Sequence, residues 1–146
     1  MATSYTATPI YLSPAPLAAS DLSTKQGYAV TLDSSGNAIV QTTAGGNVLG
    51  ILQNKPTAST NALIVTGGVV PMIAGGTVAI NDLIKCDTSG KGVAAQTAYV
   101  NTNDAPAAQD PVVGSFVLGR ALSAASSGET FNLLIEKVGA VPTTAA

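Results

Sequence analysis

Two aspartates are the first side chains to weigh as a reactive pair. Asp33 and Asp87 lie 54 residues apart, and each opens a D-x-S-G motif, at residues 33–36 and 87–90. Paired carboxylates are the acid and base of glycosidases, but a sugar cleft also needs aromatic side chains, which make up only 4% of this chain. Asp can bond its own backbone and Gly can adopt positive φ, so the motif instead predicts a short hairpin turn.

Other candidate sites have weaker patterns. A polar segment holds four residues that could bind Ca²⁺, namely Asn101, Asn103, Asp104 and Asp110. No Glu follows at EF-hand spacing, so we interpret the segment as a solvated loop. The glycine pairs at 45–46, 67–68 and 75–76 match no phosphate-binding motif and predict turns. Cys86 is expected to be a small core side chain, and we predict no catalytic residue, metal or cofactor.

The composition excludes several classes of function. The 146 residues include no His and one Cys, so Cys/His zinc sites, Ser-His-Asp triads and Cys-His dyads cannot form within the chain. The six basic residues are scattered and the net charge is −2, which disfavours nucleic acid as a partner. Charged residues make up 10% of the chain, against about 25% in typical soluble domains. Such a surface favours packing against other proteins, so we expect a structural protein and not an enzyme.

One uncharged stretch raises the question of a membrane span. Residues 56–81 carry no charge and are long enough to cross a bilayer. Gly67-Gly68, Pro71 and Gly75-Gly76 interrupt them, and the apolar runs between are short. This pattern predicts successive strands and turns, and no membrane span is expected.

An internal repeat organises the chain. Residues 27–41 align with residues 81–95 at a constant offset of 54, and residues 48–65 align with residues 117–134 at an offset of 69. The repeat copies are therefore 27–65 and 81–134. The change of offset predicts an insertion in the second copy at about residues 97–111.

Both copies predict β-strands. Tyr28, Val30 and Leu32 alternate with small or polar residues, which is typical of a half-buried strand, and the same face of the second copy holds Ile84 and Cys86. No segment has a convincing long-helix pattern. Roughly nine or ten short strands with frequent turns predict an all-β fold, a small sandwich or barrel built from two duplicated β units.

The two ends of the chain are expected to differ from this β domain, which we assign to residues 23–138. Three prolines fall within residues 1–22, which predicts an extended N-terminal arm, and residues 139–146 are predicted to be a flexible tail. One alternative is a terminus that is disordered in the isolated chain. The apolar side chains of the arm favour a segment that becomes ordered against a partner. The expected partner contacts in the arm are Tyr5, Ile10, Tyr11, Leu12 and Leu17.

A series of strand and turn segments carries a resemblance to known proteins. The series comprises residues 27–32, the turn 33–36, residues 48–56, 67–70 and 79–87, the turn Ser89-Gly90, and residues 117–122. In the order and spacing of these segments the chain resembles the bacteriophage capsid cement, or head decoration, proteins. The likeness covers about residues 25–136.

The resemblance implies a small β protein on the outer surface of the virion capsid. Its implied partner is the major capsid protein, its implied assembly is a homotrimer, and its implied role is to reinforce the shell against internal DNA pressure. The alternative from another class is a carbohydrate- or receptor-binding β module of a fibre or adhesin. Such modules expose aromatic side chains, and this chain has four Tyr and two Phe.

Overall fold

The computed structural model describes residues 8–95 and 116–138. Nine strands in these residues form one antiparallel sheet of order β3-β2-β4-β5-β9-β8-β6-β7, which curls as a half-barrel, and β1 pairs with β5 beside this path. The strands are β1 (Ile10–Tyr11), β2 (Ala29–Leu32), β3 (Ala38–Val40), β4 (Gly50–Leu52), β5 (Ile64–Ile73), β6 (Leu83–Cys86), β7 (Gly92–Ala94), β8 (Val117–Ala121) and β9 (Thr130–Val138). The predicted all-β class is confirmed.

The two repeats have the same strand pairing, as the sequence predicts. In the first repeat β2 lies between β3 and β4, and in the second β6 lies between β7 and β8. Val30 pairs with Val40, and their equivalents at the offset of 54, Ile84 and Ala94, pair with each other. The pairing of β4 with β5 recurs in β8 with β9 at the offset of 69. The fold is therefore built from two duplicated β units.

The long strand β5 belongs to both units. Residues 64–67 pair with β4 and β1, whereas residues 68–73 pair with β9. We therefore define the first repeat as residues 10–67 and the second repeat as residues 68–138. One continuous strand thus links the last strand of the first repeat to the opening strand of the second.

A glycine recurs where each repeat brings two backbones closest together. A Cβ atom on Gly50 would overlap the carbonyl oxygen of Val65, and a Cβ atom on Gly119 would overlap that of Leu134. Because backbone carbonyls in a sheet cannot move aside cheaply, only Gly fits these two positions. This accounts for the glycine that recurs in the Val-Leu-Gly sequence at the offset of 69.

Two clusters of buried apolar side chains form the core. One belongs to the first repeat and comprises Ala18, Leu22, Val30, Ala38, Leu52, Ala62 and Ile64. The larger cluster fills the second repeat, and it also takes in Ala29, Val48, Ile51 and Val65 from the first. The first repeat therefore packs one face of its sheet against the second repeat, which ties the units into one body.

The N-terminal segment differs from the predicted arm. Residues 16–22 are equivalent to residues 72–78, because Ala18 bridges to the start of β3 as Ala74 bridges to the start of β7. Ala18 and Leu22 are buried in the core. β1 and the bridging residues Leu17 and Ala18 thus lie where the second repeat has its opening strand, so this segment opens the first repeat. The prolines and a different offset, 56, conceal this equivalence in the sequence. The predicted insertion near 97–111 and the tail 139–146 lie outside the described residues.

Candidate interaction surface

Two of the predicted contact residues, Ile10 and Tyr11, lie together on β1 at the protein surface. Ile10 is 62% exposed and Tyr11 is 45% exposed. Ile10 pairs with Gly67, and a Cβ atom there would lie 3.0 Å from Ile10 Cδ1, so the absence of a side chain lets β1 approach β5 closely. Thr66 Oγ1 donates a hydrogen bond to Ile10 O (3.3 Å). Two large apolar side chains are therefore held outward on an ordered strand.

The other predicted contacts have different surroundings. Leu12 is partly buried against the first-repeat cluster, and its N–H donates to Ile64 O (2.9 Å), so it supports the core. Leu17 is 44% exposed, and its carbonyl accepts the Ala38 N–H (2.8 Å). Tyr5 lies outside the described residues. The structure thus leaves Ile10, Tyr11 and Leu17 exposed.

Three exposed apolar residues were not predicted from the sequence: Leu32 (40% exposed), Leu63 (37%) and Ile80 (60%). Leu32 was expected to share a half-buried face with Val30, which is fully buried. Leu32 ends β2 next to the Asp33 turn, beyond the part of the strand that pairs with β4. Strand alternation cannot reveal where a neighbouring strand stops, so the exposure of Leu32 follows only from the structure.

The two Asp motifs form nearly identical turns, as predicted. Asp33 Oδ1 accepts the backbone N–H groups two and four residues later at 2.8 and 2.9 Å, and Asp87 Oδ1 does the same at 2.8 and 2.9 Å. Gly36 and Gly90 have φ values of 82° and 81°. Both carboxylates are therefore engaged by their own turns, and these contacts shape the backbone.

Cys86 is buried in the second-repeat core, as the sequence predicts. Its Sγ donates a weak hydrogen bond to Thr43 O (3.3 Å) from the first repeat. Burial raises the pKa of the thiol, an effect that outweighs the lowering by nearby backbone groups. Since the thiolate is the reactive form, Cys86 is an inert packing group.

A shallow cleft of about 250 Å³ lies between the repeats. Its lining residues are Gln26, Gly27, Gln53, Pro71 and Thr130. The Gln26 side chain donates to Gln53 O (2.8 Å) and the Gln53 side chain donates to Pro71 O (3.3 Å). The amide donors are thus used in holding the cleft walls together.

The described residues contain one ion pair between side chains. Arg120 Nε and Glu136 Oε2 lie 3.9 Å apart, and roughly half of each side chain is exposed, so water screens this pair and its contribution is small. Lys25 Nζ from the first repeat and Lys91 Nζ from the second lie 4.9 and 5.9 Å from the centre of the Tyr28 ring. The Tyr28 ring thus makes cation–π contacts with one lysine from each repeat.

The part of the chain that the structure covers has neither a candidate metal site nor a helix able to span a membrane. No group of three or more His, Cys, Asp or Glu side chains there could hold a metal ion. None of those residues forms a long apolar helix able to span a membrane. The four residues considered for Ca²⁺, at 101–110, lie outside this part.

Comparisons with known proteins bear on the fold. No protein-family model and no curated protein matches the sequence. Among solved structures, the chain is similar to the head fiber gp8.5 N base in bacteriophage phi29, with a TM-score of 0.59 and 15% sequence identity. The similarity covers 88% of this chain and 98% of that one. At this identity the comparison shows that the two chains share a fold.

Proposed function

We propose that the protein is a structural component of a bacteriophage head that binds the outside of the assembled shell and reinforces it. The observation that carries the proposal is the fold shared with the phi29 head fiber base over 88% of this chain. The resemblance of residues 25–136 to head decoration proteins supports the same class. The proposed partner is the major capsid protein, the proposed location is the outer capsid surface, and the proposed assembly is a homotrimer.

The contact surface proposed for the shell is β1. Ile10 and Tyr11 are exposed, uncharged and held on an ordered strand, so little conformational entropy is lost when they are covered. Burying apolar surface gains about 25 cal/mol per Å². Each chain would add a modest contact, and several linked chains would multiply it. A protein that binds only the assembled shell stabilises that shell by mass action.

The test uses undecorated heads of a phage that encodes this chain. The full-length protein is mixed with the heads, which are pelleted and quantified for bound chains. The doubly substituted variant Ile10→Ser, Tyr11→Ser is expected to bind at least about tenfold more weakly, since it loses two large apolar contacts. Point substitutions are preferred to deletion of the segment, because Ala18 and Leu22 belong to the core.

The matched control is Leu63→Ser, which removes an exposed leucine from outside β1 and should leave binding unchanged. Failure of the unsubstituted chain to bind heads or to raise their melting temperature would reject the function. Undiminished binding by the β1 variant would reject β1 as the contact surface.

A second candidate is a carbohydrate- or receptor-binding module of a fibre. It is favoured by the structural neighbour, which is the base of a head fiber, and by the exposure of Tyr11. A glycan array distinguishes the two functions: specific glycan binding abolished by Tyr11→Ser, without head binding, would support the fibre module.

A further inference from the structure

The contact between the two repeats within the chain is a hydrogen-bonded seam. On the side of the second repeat, Ile73 N–H donates to Gly27 O (3.0 Å) and Gly90 O accepts the Ala29 N–H (2.7 Å). The seam is tight, because a Cβ atom on Gly90 would lie 2.5 Å from Val40 Cγ1. The second repeat thus has a face that the first repeat contacts at Ile73 and Gly90.

Within the residues that the structure describes, the equivalent face of the first repeat has no such partner. We call it the receiving face and define it by Leu17, Leu32 and Gly36, the equivalents of Ile73, Cys86 and Gly90. Cys86 is fully buried, whereas Leu32 is 40% exposed. A Cβ atom on Gly36 would meet nothing within 4 Å.

Leu17 likewise lacks a contact that its equivalent, Ile73, makes. It is 44% exposed, and its N–H has no hydrogen-bond acceptor among the residues that the structure covers, whereas the N–H of Ile73 is bonded across the seam. The receiving face therefore has a backbone shape that the chain already binds once, together with apolar side chains left in water.

The second repeat has the complementary surface. We call it the docking face and define it by Ile80, Asn81 and Leu83. The last two are the equivalents of Gly27 and Ala29, which form the seam from the first repeat. Asn81 has φ +72°, close to the +85° of Gly27, so the two backbones have the same local conformation. Ile80 is 60% exposed and Asn81 is exposed.

We propose that the docking face of one chain binds the receiving face of a second copy of this chain, reproducing the internal seam between chains. Leu17 N–H would donate to Asn81 O of the second copy, and Gly36 O would accept its Leu83 N–H. The two faces differ, so the contact is head-to-tail, and such contacts close into rings or extend into filaments. The inference does not depend on head binding. It gives the proposed homotrimer its contact surface, with six repeats around one ring.

The proposed contact between chains differs from the internal seam in the charge of one pair of side chains. In the internal seam, Lys91 Nζ lies 5.9 Å from the Tyr28 ring. The equivalents of these residues between chains are Asn37 and Asp82. A positive charge at position 37 would therefore face a carboxylate of the neighbouring chain, and a negative charge would be repelled by it.

The decisive experiment is a disulfide trap with two single-cysteine additions. A Cβ atom on Gly27 would lie 3.1 Å from Ile73 Cγ1, the atom nearest to the position of a cysteine sulfur, so a disulfide fits between these two positions. Chains that carry Leu17→Cys are therefore mixed with chains that carry Asn81→Cys, allowed to exchange subunits, and oxidised. A cross-linked pair is expected in the mixture and not with either variant alone. Cross-linking of the unsubstituted chain, in which Cys86 is buried, gives the background.

The result that overturns the proposal is equally direct. Cross-linking of Leu17→Cys with itself at the rate of the mixture would show a symmetric contact. No cross-link in the mixture, with both variants folded by circular dichroism, would remove the contact altogether. If Asn81→Cys fails to fold because of its positive φ, Ile80→Cys takes its place.

Sedimentation of the full-length protein provides an independent measurement. Leu17→Ser and Leu32→Ser are each expected to weaken self-association at least about tenfold, because each removes a large apolar contact. The control is Leu63→Ser, since Leu63 is similarly exposed and its equivalent, Asn132, is exposed as well. Equal weakening by the control would contradict the assigned faces.

The charge variants are measured in the same way. Asn37→Lys should tighten association about threefold and Asn37→Asp should weaken it about threefold, both less in high salt. The Asn37 backbone, and not its side chain, makes the turn hydrogen bonds, so both variants should fold. Identical association of the two variants at low salt would contradict the position of Asp82 in the contact.

Discussion

The turns 33–37 and 87–91 are the same piece of chemistry in two settings. Each has an Asp carboxylate that accepts two backbone N–H groups and a glycine with φ near +80°. The second turn packs against the first repeat, where Gly90 O accepts the Ala29 N–H, whereas no atom of the described residues lies within 4 Å of a Cβ placed on Gly36 in the first turn. The difference teaches that duplication copies local structure, whereas the packing of one copy on the other makes the two copies unequal.

The largest effect is expected where the repeats are still equivalent. Gly50→Ala and Gly119→Ala should each cost at least about 4 kcal/mol of unfolding free energy, because the new Cβ overlaps a backbone carbonyl. Urea unfolding measures the loss. The control is Gly76→Ala, where the nearest atom to a Cβ is 3.9 Å away, and its cost should stay under about 1 kcal/mol. A mild loss at either Gly50 or Gly119 would show that the repeats tolerate different backbone spacing.

The next effect separates the two turns. Gly36→Ala should cost about 1 kcal/mol, since Ala is strained at positive φ and the space around it is open. Gly90→Ala has the same strain and also forces a Cβ atom to within 2.5 Å of Val40 Cγ1, so it should cost about 2–3 kcal/mol. Parallel urea titrations give the difference. Equal losses of unfolding free energy would mean that the internal seam accommodates the Cβ atom on residue 90 with no further loss of stability.

A smaller effect is expected for the carboxylates. Asp33→Ala and Asp87→Ala should each lose about 1–2 kcal/mol, because two backbone N–H groups lose their acceptor. The Asn variants should lose less, as the amide oxygen still accepts. Thermal unfolding of the four variants checks this. Since the bonds are local and matched, a loss confined to one turn would contradict the equivalence of the two motifs.

The last prediction concerns reactivity, with little change in stability. With the chain dilute enough to be monomeric, a thiol reagent should modify Cys86 at least about 100-fold more slowly than a cysteine at its first-repeat equivalent in Leu32→Cys. Cys86 is fully buried and burial raises its pKa, whereas Leu32 is 40% exposed. Both thiols should react alike in denaturant. Similar rates in the folded protein would mean that the first repeat does not shield the Cys86 thiol from the reagent.

Much of the fold was predictable because its signals are local. The offsets of 54 and 69 align residues that also align in the sheet, and the D-x-S-G motifs predict their turns from short-range hydrogen bonds. The opening strand of the first repeat was not predictable, because its prolines indicate an extended segment and say nothing of what it pairs with. Ala18 and Leu22 are core residues only through contacts with distant strands.

The candidate surface was predictable in part for the same reason. Ile10, Tyr11 and Leu17 were expected to face a partner from their apolar character in an uncharged segment, and the structure leaves all three exposed. The receiving face was not predicted, since Leu32 and Cys86 occupy equivalent positions in the sequence. Their difference arises where the loop around Thr43 and Gly46 covers only Cys86.

By itself the sequence determined the β class, the duplication and the two turns, because periodicity, glycine φ and Asp hydrogen bonding act over a few residues. The tertiary structure alone decided that residues 16–22 complete the first repeat, that β5 serves both repeats, and which repeat covers the other. These are long-range contacts, whose free energy depends on surfaces brought together only after the strands have paired.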